Sequence, residues 1–174
     1  GTKTLMVSPI NLGSAIILHT PSPYTHFYQR CKLYIALEIE PYFMIFVLLI
    51  TAPPAHISAW HAYYFAESAL TQGHEIKPFF YGDGVAVANR LLCPAQDEIS
   101  LAQLWRNLAD IHQFELPVCV AAALRRGITD ADNAHRHQLE GENLQTGFSL
   151  AGLGVLTEGL ITADRVLSFI GDGA

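Results

Sequence analysis

At 174 residues and 19.1 kDa the chain is long enough for one ordinary domain with a short appendage. Hydrophobic residues at 51%, charged residues at 15% and a mean hydropathy of +0.25 exclude a wholly disordered chain. A net charge of −6 with an isoelectric point near 5.7 argues against a broad phosphate-tracking surface, so direct nucleic-acid binding is not expected.

The chain opens with Gly1 rather than Met, which reads as a cloning or processing remnant. Residues 1–43 carry Pro9, Pro21, Pro23 and Pro41, scattered aromatics and no sustained apolar repeat. They hold three basic and two acidic residues, whereas 44–174 hold seven and fourteen. Residues 1–43 are therefore expected to be an extension of unknown role, dispensable for folding, and 44–174 the folded domain. From Tyr42 to Ile50 (YFMIFVLLI) runs the longest apolar stretch, nine residues closed by Thr51. A membrane-spanning helix needs roughly 20, so this is a doubly covered strand and no membrane association is expected.

Beyond Pro53-Pro54, Ser58 is placed to cap a helix through about Gln72, with Gly73 as its left-handed stop. Glu75–Tyr81 reads as a second strand, ended by a turn at Gly82-Asp83-Gly84, and a short helix to about Leu92 follows. Leu101, Leu104, Trp105, Leu108 and Ile111 recur at helical spacing, which predicts an amphipathic helix over 99–113. Leu116–Val120 is a third strand and Ala121–Arg126 a helix closed by Gly127. Helical stretches are expected near 131–140 and 149–160, then a last strand over Arg165–Ile170. Strand alternating with helix predicts an α/β fold: a three-layer domain whose central sheet, mostly parallel and of four or five strands, carries helices on both faces.

In such sheets ligands gather beyond the carboxyl ends of the strands, which selects the loops 51–57 and 82–85 and the neighbourhood of Cys119. Cys119 stands where a strand passes into a helix, and the N–H groups at a helix start favour a thiolate, the reactive form of the thiol. On spacing alone, a buried strand cysteine acting as a small hydrophobe is the favoured reading. Cys31, Cys93 and Cys119 form no CxxC pair and no disulfide framework, consistent with a reducing, cytoplasmic setting.

The run Val118-Cys119-Val120-Ala121-Ala122-Ala123-Leu124-Arg125-Arg126-Gly127 resembles the active-cysteine segment of TusD/DsrE-type sulfur-relay subunits. Gly73-His74-Glu75, Gly84-Val85, Ala88-Asn89, Pro94-Ala95, Asp97-Glu98, Asn143-Leu144-Gln145, Gly147-Phe148, Gly152-Leu153-Gly154 and Asp164-Arg165-Val166 match in order. The resemblance covers about 44–169 and nothing of 1–43. It implies a sulfurtransferase subunit whose reactive cysteine, here Cys119, carries sulfane sulfur as a persulfide. It also implies a hetero-hexamer with TusB- and TusC-like subunits, a TusA-like sulfur donor and a TusE-like acceptor. The destination implied is 2-thiouridine at the tRNA wobble position or, in DsrE-type relays, sulfur oxidation. No metal, nucleotide or flavin cofactor is implied. Such a carrier is expected in a partly shielded pocket open to a docking partner, with Cys119 alkylated faster than Cys93 or Cys31.

Other residues carry less. Arg125 and Arg126 either attract an acidic partner or complement a helix end. His56 and His61 border the first loop, and His135 and His137 are spaced to face different sides of a helix. Gly82-Asp83-Gly84 lacks the further residues of a phosphate-binding loop and reads as a turn, and Trp105 reads as core.

Overall fold

The structure, a computed structural model, describes residues 42–95 and 97–171. The expected extension over 1–43 lies, apart from Tyr42 and Phe43, outside the described residues, and so does Cys31.

Five strands, β1 (Ile45–Ile50), β2 (Glu75–Phe80), β3 (Leu116–Cys119), β4 (Phe148–Ala151) and β5 (Arg165–Phe169), form one sheet in the order β4-β3-β2-β1-β5, and every registered strand pair is parallel. The first strand, β1 (Ile45–Ile50), pairs with β2 (Glu75–Phe80) on one side and β5 (Arg165–Phe169) on the other. Its covering is two-sided, as the unbroken apolar run requires. Helix α1 (Ile57–Thr71) follows β1, and α2 (Leu101–His112) precedes β3 (Leu116–Cys119). Both pack on the face that carries Phe46 and Phe80: Phe46 meets Phe65 of α1 edge-on at 5.2 Å, and Phe80 meets Trp105 of α2 at 5.5 Å. After two short helices, α3 (Val120–Leu124) and α4 (Ala131–Arg136), α5 (Leu153–Thr162) lies on the opposite face, where the bare backbone of Gly159 comes against Val47 and Lys77. Helices on both sides make three layers.

The chain steps outward from β1 to β4 and then returns across the sheet to lay β5 beside β1. A right-handed crossover in the reverse direction must run over the other face, which is where α5 lies.

Boundaries differ from expectation at three places. His56, not Ser58, is the N-cap of α1: its Nδ1 accepts from the Ser58 N–H at 3.1 Å. The span expected to be helix from 149 contains a strand first, β4 (Phe148–Ala151), and the helix starts only at Leu153. Four residues are too few to show an alternation, and Leu150 and Leu153 at a spacing of three imitate a helical stripe. Pairing with β3, from Leu116↔Phe148 to Cys119↔Ala151, decides the matter. Downstream of β2, the turn at Gly82 is the start of a 3-10 helix, Gly82–Ala88, in place of the short helix to Leu92.

Gly84 makes that packing possible. A Cβ there would stand 2.2 Å from the Ile50 carbonyl oxygen, so only glycine lets the 3-10 turn press on the end of β1. At the other end of the sheet Pro78 and Pro117 have no N–H to offer a ladder, and β2 and β3 share one registered pair, Phe80↔Val118. Both prolines line a cavity of about 850 Å³ at the amino ends of these strands, together with Phe79, Phe114 and Glu115.

Trp105 is fully buried, as its place on the apolar stripe predicts, whereas Ile111 at the end of that stripe is exposed. Beside Trp105, burial pushes the Tyr63 phenol up to about 12, and its hydrogen bond to Glu67 at 3.1 Å adds to the shift. A phenol whose folded pKa exceeds the unfolded value near 10 stabilises the fold fully only below that value. Stability should therefore fall between about pH 10 and 12, and Tyr63→Phe should flatten that part of the curve in chemical denaturation. An equally steep fall in the variant would assign the loss to other groups.

Candidate functional site

Strand β3 delivers Cys119 to the carboxyl edge of the sheet. Leu116, Pro117, Val118 and Cys119 are all buried, held between β2 and β4. At Cys119 the chain turns into α3 (Val120–Leu124), for which Cys119 is the N-cap residue with φ −58° and ψ 114°. Beside it, Ala151 ends β4 in register, and Gly152 leads into α5 on the other face. The connection from β3 steps in the same direction as those before it, and the connection from β4 reverses. Adjacent strand ends whose connections part to opposite faces form a switch point, where open α/β sheets place their ligands. Cys119 stands at that point.

The surroundings of α3 are tied down by polar contacts. Gly127, at φ +71°, closes the turn after α3, and Thr129 follows as a buried polar residue. The Thr129 N–H donates to Asn143 Oδ1 at 3.0 Å, and Asn143 Nδ2 donates to the Gly127 carbonyl at 2.9 Å and to Asn89 Oδ1 at 3.2 Å. Asn143 thereby joins the segment after α3 to the end of the 3-10 turn. Arg126 makes a second tie: its Nε and Nη2 donate to Asp83 Oδ1 at 2.9 and 2.7 Å, and its Nη1 to the Ala122 carbonyl at 3.3 Å. Arg126 thus both complements the end of α3 and pairs with an acid. Arg125 is exposed.

Access differs from expectation. Cys119 is only 2% exposed, while Cys93 is exposed. The 3-10 turn leaves β2 beside β3, because Phe80 pairs with Val118, and it packs on both β3 and α3. On exposure alone Cys93 is the more accessible thiol, and the order of alkylation expected from thiolate character is a separate matter for experiment. Neither of two cavities of this size is lined by Cys119. A second one, of about 820 Å³, has Cys93, Trp60, Asn89 and Gln145 in its wall.

Of the histidines, His56 caps α1, and His61, His135 and His137 are exposed and apart from Cys119 in the fold. No group of three metal-ligating side chains converges among the described residues. Nor is any helix among them long and apolar enough to cross a membrane. In the sequence Asp83 shows only as part of a turn, since its partner lies 43 positions away and no local pattern links them.

Known proteins resemble this chain in sequence and fold. The family model for the DsrE/DsrF-like family matches residues 44–169. A protein named sulfurtransferase TusD from Pectobacterium carotovorum subsp. carotovorum is 48% identical over 126 residues, which is 71% of this chain and 98% of that protein. Its namesake from Klebsiella pneumoniae subsp. pneumoniae is 47% identical over 128 residues, 72% of this chain and all of that protein. Among solved structures, the Escherichia coli ychN protein superposes with a TM-score of 0.57 at 19% identity, over 73% of this chain and 99% of that one, which shows the fold alone. Five parallel strands, a cysteine at the switch point and a matched family model spanning the whole described domain lead to one conclusion: the chain belongs to the DsrE/DsrF-like family.

Proposed function

We propose that this chain is a sulfur-relay sulfurtransferase subunit that carries sulfane sulfur on Cys119. The observation that carries the reading is the 48% identity, over nearly their full length, to proteins named sulfurtransferase. Cys119 supports it as the one thiol among the described residues that stands at the switch point of the sheet.

The exchange balances without an added oxidant. The Cys119 thiolate attacks the outer sulfur of a donor persulfide, the donor S–S bond breaks, and the donor departs as a thiolate. Cys119 then holds Cys–S–SH, until an acceptor thiolate takes the outer sulfur and Cys119 leaves as thiolate. A TusA-like protein is the proposed donor and a TusE-like protein the acceptor, in a cytoplasmic relay that ends in 2-thiouridine at the tRNA wobble position. Incubation of the full chain with a persulfidated donor should add about 32 Da, one sulfur atom, to the peptide containing Cys119. No adduct on that peptide, with the donor still loaded, would sink the reading.

Partner subunits of TusB- and TusC-like type belong to the same proposal. Helix α5 exposes Leu153, Val155, Leu160 and Ile161, the last at 80%, with Val166 of β5 and Ile170 exposed near by in sequence. Apolar surface of that kind on a soluble subunit marks a contact with other chains. Light scattering with such partners present should give a hetero-oligomer, and a persistent monomer would remove them from the account.

A further inference from the structure

The carrier proposed above is the sulfur of a residue only 2% exposed. Something must hold the cover shut and let it open. The cover includes the 3-10 turn Gly82–Ala88, which lies on β3 and α3. Among the described residues a single ion pair bridges that turn to the segment following Cys119: Asp83 with Arg126, at 2.7 Å. The guanidinium also holds the Ala122 carbonyl, so one side chain grips both α3 and the turn.

We infer that the Asp83–Arg126 pair is a clasp that positions the 82–88 turn over Cys119 and sets how readily the sulfur is reached. The inference rests on the sulfur-carrier reading for its consequence, but the access it describes is measurable without any sulfur transfer. Side-chain exposure is 38% for Arg126 and 67% for Asp83. A pair so exposed is screened by salt and holds weakly. Weakness suits a clasp that must open whenever a donor or acceptor approaches. The rest of the cover stays fastened: Gly84 is wedged against the Ile50 carbonyl, and Asn143 bonds Asn89 at the far end of the turn. Releasing Asp83 from Arg126 leaves both of those contacts in place.

The test is the rate at which iodoacetamide, a neutral reagent, alkylates Cys119 in the full chain, read by peptide mass spectrometry against exposed Cys93 in the same sample. Asp83→Asn and Arg126→Gln should each speed the Cys119 reaction by about two- to fivefold, the range that the strength of an exposed pair allows. Raising salt from about 0.05 M to about 1 M should speed the parent by a similar factor, and neither variant should respond to salt. Asp83→Glu, which keeps the charge, should stay close to the parent. The acceleration should hold across the whole pH profile, including the alkaline plateau where both thiols are ionised. Parent-like rates in both variants, a salt-insensitive parent, or an acceleration confined to the pH range where the thiol ionises would each overturn the clasp. If the variants accelerate as expected while Cys119→Ser still takes up sulfur, the clasp stands and the carrier assignment falls.

Discussion

Replacing Cys119 is expected to abolish sulfur uptake and leave the domain folded. Serine keeps the shape of the side chain but offers a hydroxyl, which forms no persulfide. Because the site is 2% exposed, that hydroxyl is also buried, and without a partner it costs about 1–3 kcal/mol. Cys119→Ala separates the two effects. It leaves no polar group to satisfy, so its thermal midpoint should stay near that of the parent while labelled sulfur from a persulfidated donor no longer adheres. Cys93→Ser should retain uptake, since Cys93 lies in the wall of a separate cavity and not at the switch point. Label retained by both Cys119 variants and lost by Cys93→Ser would move the carrier to Cys93.

Most of the layer structure was legible because the punctuation is local. Thr51, Gly73, the Gly82–Gly84 turn and Gly127 fall at or just after the ends of the elements they were expected to close, and Gly73 and Gly127 adopt the positive φ that such stops require. Strand β4 was not legible, because what makes it a strand is β3, more than two dozen positions away, and not its own four residues. Position on the sheet was legible for Cys119, since strand–helix order places it at a carboxyl edge. Its burial matches the reading that spacing alone offers, a strand cysteine acting as a small hydrophobe, and not the partly shielded pocket that the resemblance implies. The neighbouring contacts, Phe80 with Val118, Gly84 against Ile50 and Arg126 with Asp83, are ones that no periodicity encodes.

The buried cysteine and its weak clasp make one consistent device. A persulfide is readily stripped by small thiols, because its outer sulfur is open to any thiolate that can approach. If Cys119 carries sulfur as proposed, cover at rest would protect the cargo, and a cover held by a screened ion pair would add little to the barrier for a docking protein. Charge on the docking partner can act on the same pair, since an acidic group near Arg126 competes with Asp83 for the guanidinium.

Trp105→Ala should cost about 3–5 kcal/mol, a large share of the 5–15 kcal/mol that holds an ordinary domain together. The indole is wholly enclosed, with Tyr63 edge-on at 5.7 Å on one side and Phe80 at 5.5 Å on the other. Phe80 in turn meets Phe148 of β4 at 5.6 Å, so the indole backs a row of rings under β2, β3 and β4. Its own Nε1 is buried with no hydrogen-bond partner among the described residues. The stabilisation therefore comes from ring packing, offset in part by an unsatisfied N–H. Trp105→Phe deletes that N–H and keeps one ring of the two, so it should lose much less than Trp105→Ala. The effect should also reach the site. Phe80 is the residue of β2 that registers with Val118, one position before Cys119, and the cavity left by alanine removes its support. Urea denaturation gives the ordering parent, then Phe, then Ala. Iodoacetamide should modify Cys119 fastest in the alanine variant, under conditions where it is still folded. A Phe variant as unstable as the Ala variant would mean that the Nε1 has an acceptor after all, and unchanged Cys119 reactivity in the Ala variant would uncouple the row of rings from the cover over the sulfur.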